Sequence, residues 1–441
     1  MMKKIAVLGS GMGGLACAHY IARAGGRAIV LEPSGALGPS APPIVHDGMR
    51  IERFWAPLQQ TDTALCGLLA QLGGLGRIAW RRTVSGIGVD GAFHPASSTA
   101  DLMRSLRLAE LSRRERLLAR AGLAYLTQLK CHPHDLRDLC AADWLPRVLG
   151  RRAYESYCRP FLEARFGEYG ENVPADWVFR RIKAYATRHE VVGFLRGGGG
   201  WLGARLRRSI EARGGEVRLH AAITAVETHP RGCRVEVDGR ELEVDAVVCA
   251  LPPARLAKLA RGRLASALPD LDVPYQGVVS VLIVLARRLG RYYQTTFLDP
   301  DAPLRRTTEA THVVPAELVD GRHFLYVRDP CGPHTERFKQ PDGAVCRRVI
   351  GALQQSFPGF SAREIEAVHV SRDEAAEPAP VPRNLRRRLP SSIEGRVFLC
   401  SPAAGPPRRA NWDGDVMFAR DTAAAIGVRT ARTRYGWHTA S

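Results

Sequence analysis

Three glycines and one acid are the residues of this chain best suited to chemistry. Gly9, Gly11 and Gly14 stand at G-x-G-x-x-G spacing, after the apolar run Ile5–Leu8 and before the helix-like stretch LACAHYIARAG. Gly25-Gly26 ends that helix, RAIVLE follows as a second strand, and the strand closes on Glu32. Strand, glycine turn, helix and strand are the context in which the motif has physical meaning. Gly9 permits the tight turn, Gly11 lets the backbone approach a pyrophosphate, and Gly14 lets helix and strand pack closely. The helix start adds free N–H groups and partial positive charge for phosphates. An acid at position 32 can accept both ribose hydroxyls, which disfavours a 2′-phosphate and hence NADP.

A second group is a substrate-side candidate. In RFGEYGENVPADWVFRRIKAY, a helix is predicted from about Pro174, with Trp177, Arg181 and Tyr185 on one face at i, i+4 spacing and Arg165 upstream. Cations beside an aromatic suit an anionic, partly apolar substrate. The competing expectation is an amphipathic helix with Trp177 in the core and its arginines in water. His46, His94 and His312 could serve as acid or base, but isolated histidines single out no catalytic residue. Trp55 and Trp80 read as core. Lys3, Lys4, Lys130, Lys183, Lys258 and Lys339 are the only lysines.

The elements that position these groups span most of the 441 residues. Gly214–Pro253 reads as short strands, EVRL, AITAVET, CRVEVD and ELEV, followed by the buried strand DAVVCALPP. A β-meander inserted in a nucleotide-binding fold favours FAD over NAD. GVVSVLIVLA is a buried strand, too short to span a bilayer. Near the C-terminus, GRVFLCSP is another buried strand, and DGDVMFARDTAAAIGVRTA is a helix that would close the site.

Composition bounds the rest. A hydrophobic content of 45% and a charged content of 24% describe an ordinary globular core. The net charge of +19 is spread in short arginine clusters and favours acidic partners or anionic lipid. No nucleic-acid module signature is present, so no nucleic-acid partner is expected. Ten scattered cysteines without a CxxC pair fit reduced thiols in a cytoplasmic protein, and no metal site is expected. The first strand begins almost at once, leaving no room for a signal peptide. No transmembrane segment is expected; contact with a membrane surface stays open.

On the fingerprint, the middle segments RPFLEARFGEYGENVPADWVFRRIKAY and GFLRGGGGWLGARLRRSIEARGGEVRL, and DAVVCALPP, the chain resembles the FAD-dependent amine oxidase superfamily, and within it the bacterial protoporphyrinogen-oxidase-like oxidoreductases. The resemblance implies an α/β fold: a glutathione-reductase-type, Rossmann-like FAD domain with a mixed α+β substrate domain. It assigns 1–80, 195–265 and 391–430 to the FAD domain and 81–194 and 266–390 to the substrate domain, with 431–441 a disordered tail. It also implies that Gly9, Ser10, Gly11, Met12, Gly13 and Gly14 face the pyrophosphate and that Glu32 takes the ribose. Val226 would pair its backbone with the adenine. Asp413, Gly414 and Asp415 would lie under the flavin's pyrimidine edge.

One loop departs from the family pattern. After the ribose acid, Ala36, Pro39 and Ser40 replace an arginine, a glycine and a second arginine, which removes phosphate-neutralising charge and one N–H. No Gly-Asp pair follows the last strand; Arg408 and Arg409 could supply charge instead. The expected function is FAD-dependent oxidation, reduction or desaturation of a small or lipid-like, anionic biosynthetic intermediate. The alternatives are a flavin-dependent, non-net-redox isomerase of a nucleotide sugar, and a flavin-poor scaffold acting as a binding or accessory protein.

Overall fold

The computed structural model describes residues 3–38, 42–107, 111–129, 133–136, 138–187, 190–271, 273–299, 302–382, 389–404 and 411–427. Pro39, Ser40, Arg408, Arg409 and the expected tail lie outside them.

The glycine fingerprint opens the chain as read: β1 (Lys4–Leu8), α1 (Met12–Arg23) and β2 (Arg27–Glu32). The near-continuous apolar runs of these strands are those of a sheet covered on both faces. β1 is central, flanked in parallel by β2 and by Ala246–Cys249. The full order runs Glu216–Leu219, β2, β1, Ala246–Cys249, Val397–Leu399, Ser392–Ile393, so three distant stretches of chain build one sheet. EVRL was expected in the meander. Instead it joins this sheet, in parallel with β2, because the apolar Val217 is needed over the core that α1 shares with the helix Gly198–Glu211. The meander is the remaining three strands, Ile223–His229, Gly232–Val237 and Arg240–Val244, packed on the other face.

A second sheet of seven strands is built mainly from 275–378, with Ser85–Val89 and Ala92–Pro95 added at one edge. Its longest strands are Tyr275–Leu285, which holds the apolar run read from sequence, and Ile365–Pro378. One face packs Val279, Val281, Leu325 and Val327 against the helix Asp342–Ser356. The other face carries Leu282, Val284 and Tyr326 and meets Ile44, Ile51 and Trp55 from the N-terminal stretch. A helical insertion packs against the second sheet and has its own core, which includes Leu123, Leu145, Leu162 and Ile182.

Candidate functional site

The turn between β1 and α1 is strained and open where a nucleotide would need it. Gly9 has φ +100°, a region that L side chains rarely enter. A Cβ on Gly14 would lie 2.1 Å from the Gly9 carbonyl oxygen, so only glycine allows this approach of helix to strand. At Gly11 the opposite holds: a Cβ would meet nothing within 4 Å. No side chain caps α1, whose first N–H groups therefore point into that open space. Glu32 is fixed at its rim. One carboxylate oxygen accepts from Ser10 N–H at 2.7 Å, the other from the Ser34 N–H and hydroxyl at 2.9 and 2.7 Å. The Ser10 hydroxyl donates to the Ala36 carbonyl at 3.0 Å, tying the altered loop back to the fingerprint. Glycines packed against β1 but clear above α1, beside an anchored acid, fit a dinucleotide. Gly9, Ser10, Gly11, Met12, Gly13, Gly14 and Glu32 are thus brought together.

Val226 is not part of this group. It is fully buried, its carbonyl accepts from Arg261 N–H at 2.9 Å, and its outer edge is bridged to Ala260. That leaves no open backbone edge for a base. The stretch beside Glu32 is His220–Ala222 instead, with Ala221 N–H donating to the Glu32 carbonyl at 2.9 Å.

The closing helix is Trp412–Ala425, capped by Asn411, whose side chain accepts from Gly414 N–H. Asp413 and Asp415 part company here. Asp413 is buried and accepts from Leu65 N–H at 2.9 Å, capping the helix Thr63–Gln71 from outside. Its carboxylate therefore joins two helices. Asp415 has no hydrogen-bond partner among the described residues. It keeps some accessible surface, yet burial alone pushes its carboxyl up to about 7.

Across from the dinucleotide lobe, the second sheet presents an aromatic and cationic interior. Trp55 stacks on Phe194, lies 5.9 Å from Tyr326, and donates from Nε1 to the Tyr293 hydroxyl at 2.7 Å. Sequence reasoning left Trp55 in the core; only the fold shows that it stands at the junction of the lobes. Arg165 forks onto Glu377, with contacts of 2.7 and 3.2 Å, inside the protein. Its charge, with those of Arg328 and Arg306, outlines one cluster. Burial first, then Arg165, Arg328 and Arg181, bring the Arg306 guanidinium down to about 9, still charged at neutral pH. Burial, then Arg165, lowers Arg328 as well. Arg181 reaches Glu190 at 3.9 Å.

Arg165 and Arg181 both lie near enough to Arg306 to act on its charge. Trp177 does not join them: it sits edge-on to Phe166 at 4.9 Å, in the helical insertion's core. The Tyr185 side chain lies outside what the structure describes. Arg306 and Arg328 were missed, and no local motif marks either one.

Among the described residues, no cluster of histidine, cysteine or carboxylate side chains could hold a metal ion, and no helix is long and apolar enough to cross a membrane.

Comparison with known proteins agrees with this geometry. Residues 12–404 match the family described as flavin containing amine oxidoreductase. Solved structures of the same fold include a protein from Exiguobacterium sp. 255-15, provisionally named a protoporphyrinogen oxidase. It is 17% identical, with a TM-score of 0.75, over 97% of this chain and 99% of that one. An oxidoreductase from Methanosarcina mazei is 16% identical, with a TM-score of 0.71, over 95% and 99%. Putrescine oxidase bound to putrescine is 17% identical, with a TM-score of 0.70, over 97% and 100%. No curated protein matches the sequence. With the fingerprint, the anchored acid and a family match over nearly the whole length, the chain belongs to the flavin-containing amine oxidoreductases, a family of FAD-dependent oxidoreductases.

Proposed function

We propose that this FAD-dependent oxidoreductase oxidises or desaturates an anionic, small or lipid-like biosynthetic intermediate and not a simple amine. FAD, when bound, supplies the hydride acceptor. The chain's own residues hold and orient. The start of α1 and Gly11 take the pyrophosphate, Glu32 takes the ribose, and Asp415, which has no hydrogen-bond partner among the described residues, lies on the helix that closes the lobe. The adenosine end is held without the family's loop arginine, because Ala36 stands in its place. Trp55, Phe194 and Tyr326 give an apolar wall that keeps water from the reacting carbon.

The observation that carries the reading is the sign of the interior charge. Arg165, Arg181 and Arg328 lie close enough to Arg306 to add their repulsion to burial, which is the larger cause of its lowered titration. An ammonium substrate would meet like charge in a poorly screened space. Lys183, by contrast, is tied to the Thr127 carbonyl at 2.6 Å. The division into an FAD domain of 1–80, 195–265 and 391–430 and a substrate domain of 81–194 and 266–390 is part of this reading.

The test is anaerobic bleaching of the bound flavin. Carboxylated or phosphorylated donors are expected to reduce it, whereas putrescine and monoamines leave it oxidised. Rapid bleaching by amines alone would overturn the proposal.

An oily substrate needs a way in. Leu117, Leu118 and Tyr125 are exposed on the helix Arg113–Gln128, beside Arg113 and Arg114. We read this face as a peripheral contact with anionic lipid. The cysteines the structure describes are all free thiols, as suits a reducing compartment.

A further inference from the structure

The second sheet carries a row of polar side chains that no structural need explains. Register places Ser371 opposite Ser280, Ser280 opposite Arg328, and Thr296 opposite Arg306. Thr307 pairs with Val327, so the next rung sets Arg306 beside Arg328. Residues opposed across strands share a face. Ser371, Ser280, Arg328, Arg306 and Thr296 therefore form one line across five strands. It lies on the face that carries Tyr326 and Leu282, two residues along, which meets Trp55 and Ile51. Arg53, from the same N-terminal stretch, donates to the Ser371 hydroxyl at 3.2 Å. The row thus looks into the junction of the lobes.

Its hydrogen bonding is incomplete in one direction. Ser280 is 1% exposed, and its hydroxyl has no partner. The buried Arg306 Nε also has none. No carboxylate lies in ion-pair range of Arg306 or Arg328 among the described residues. Glu377, held by Arg165, and Asp373, which accepts from Ala375 N–H at 2.9 Å, act on Arg328 only from beyond ion-pair range, and Glu190 accepts from the Ser85 hydroxyl at 2.6 Å. Two adjacent guanidiniums inside a protein repel and are costly to keep unless an anion joins them. Both are only partly exposed and retain some accessible surface. Planar forks of N–H donors match an oxyanion, and a neighbouring hydroxyl completes the set.

We propose that Arg306, Arg328 and Ser280 form an oxyanion subsite that grips the carboxylate or phosphate of the substrate and so fixes which carbon faces the flavin. This deepens the proposed function and rests on it. Arg165 is not a third fork, because Glu377 already holds it; that pair sets the subsite's net charge.

The test is anion binding by the purified, flavin-loaded protein, followed by Trp fluorescence and by thermal shift. The probes are inorganic phosphate and acetate, with chloride at equal ionic strength. One of the two probes is expected to bind in the millimolar range. Arg328→Gln and Arg306→Gln should each weaken it at least tenfold and Ser280→Ala several-fold, while the exposed Arg151→Gln leaves it unchanged. Glu377→Gln should tighten it, a sign that loss of folding could not produce. Preference for phosphate assigns a phosphate ester to the substrate, and preference for acetate a carboxylate. If neither probe binds beyond chloride, or the two arginine variants bind as the parent does, the subsite is refuted. Flavin retained in every variant separates that result from failure of the enzyme reading. Conversely, anion binding without flavin reduction by any anionic donor would refute the proposed function and leave the subsite standing.

Discussion

Gly11→Ala separates the nucleotide site from the scaffold. A methyl group at this position meets nothing within 4 Å, and Gly11 lies at φ −60°, which alanine adopts freely. Loss of backbone freedom in the unfolded chain favours the variant by about 0.4–1 kcal/mol. Gly11 is also the N-cap of α1, where alanine is worse than glycine by about 0.5–1 kcal/mol. The two terms nearly cancel, so Tm of the flavin-free protein should stay within about 2 °C of the parent. The flavin should not be indifferent. The same methyl enters the space above the free N–H groups of α1, and the expected loss is at least tenfold in affinity, about 1.4 kcal/mol. Gly14→Ala is the opposite control. Its methyl would sit 2.1 Å from the Gly9 oxygen, so helix and strand must part, at a cost of about 1–3 kcal/mol or more. The assay is visible absorbance retained after adding FAD and desalting, with Tm measured on the apoprotein. If Gly11→Ala holds flavin as tightly as the parent, the pyrophosphate does not lie over Gly11. If it destabilises as Gly14→Ala does, the open space is not there.

Four further outcomes are expected. His19, buried between Ser209 and Gln71, is brought down to about 4 by burial. Its neutral form is the folded one, so its contribution is complete above the unfolded value near 6.5 and is lost as pH falls toward 4. The loss is up to about 3 kcal/mol, and His19→Gln should flatten that part of the stability–pH curve. Asp415 has the reverse sign: its raised carboxyl costs the folded state as pH climbs through about 7, so Asp415→Asn should gain apoprotein Tm over the parent between pH 4 and 8, and a constant difference would count against the burial of this carboxyl. Glu377→Gln strands a third interior guanidinium and should cost about 3–5 kcal/mol in denaturant unfolding, whereas Arg328→Gln should cost nothing or stabilise. Sedimentation with anionic vesicles should be lost in Leu117→Glu/Leu118→Glu, with flavin content unchanged.

What sequence reading could reach follows the range of the forces involved. The fingerprint is local: turn, helix start and acid lie within one βαβ unit, so residue type and spacing determine geometry, and Gly9, Gly14 and Glu32 stand where spacing put them. The buried strand around Gly277–Ala286 was legible for the same reason, since a continuous apolar run has few alternatives. Val226 was misplaced because four short strands in series carry no label for which one crosses the end of β2. That is decided by the tertiary pairing of Glu216–Leu219 with β2. The partner of the Asp413 carboxylate was not legible, because Leu65 N–H is 348 residues away in the chain.

The arginine row is the limiting case of this argument. Arg306 sits in LRRTTE and Arg328 in YVRDP, and neither stretch carries a local motif. Alternation along a strand tells which residues share a face, but not whether that face meets water. Only the sheet order, with Arg306–Glu309 beside His323–Pro330 and that strand beside Tyr275–Leu285, turns two unremarkable arginines and a serine into neighbours. The packing of Trp55 and Ile51 over the same face then encloses them. Charge that is cheap on a surface is expensive there, and a fold keeps it when a ligand of opposite sign offsets the cost. The prediction that Arg328→Gln leaves the apoprotein no less stable while destroying anion binding follows directly: a guanidinium retained for folding would show the first loss, and one retained for substrate only the second.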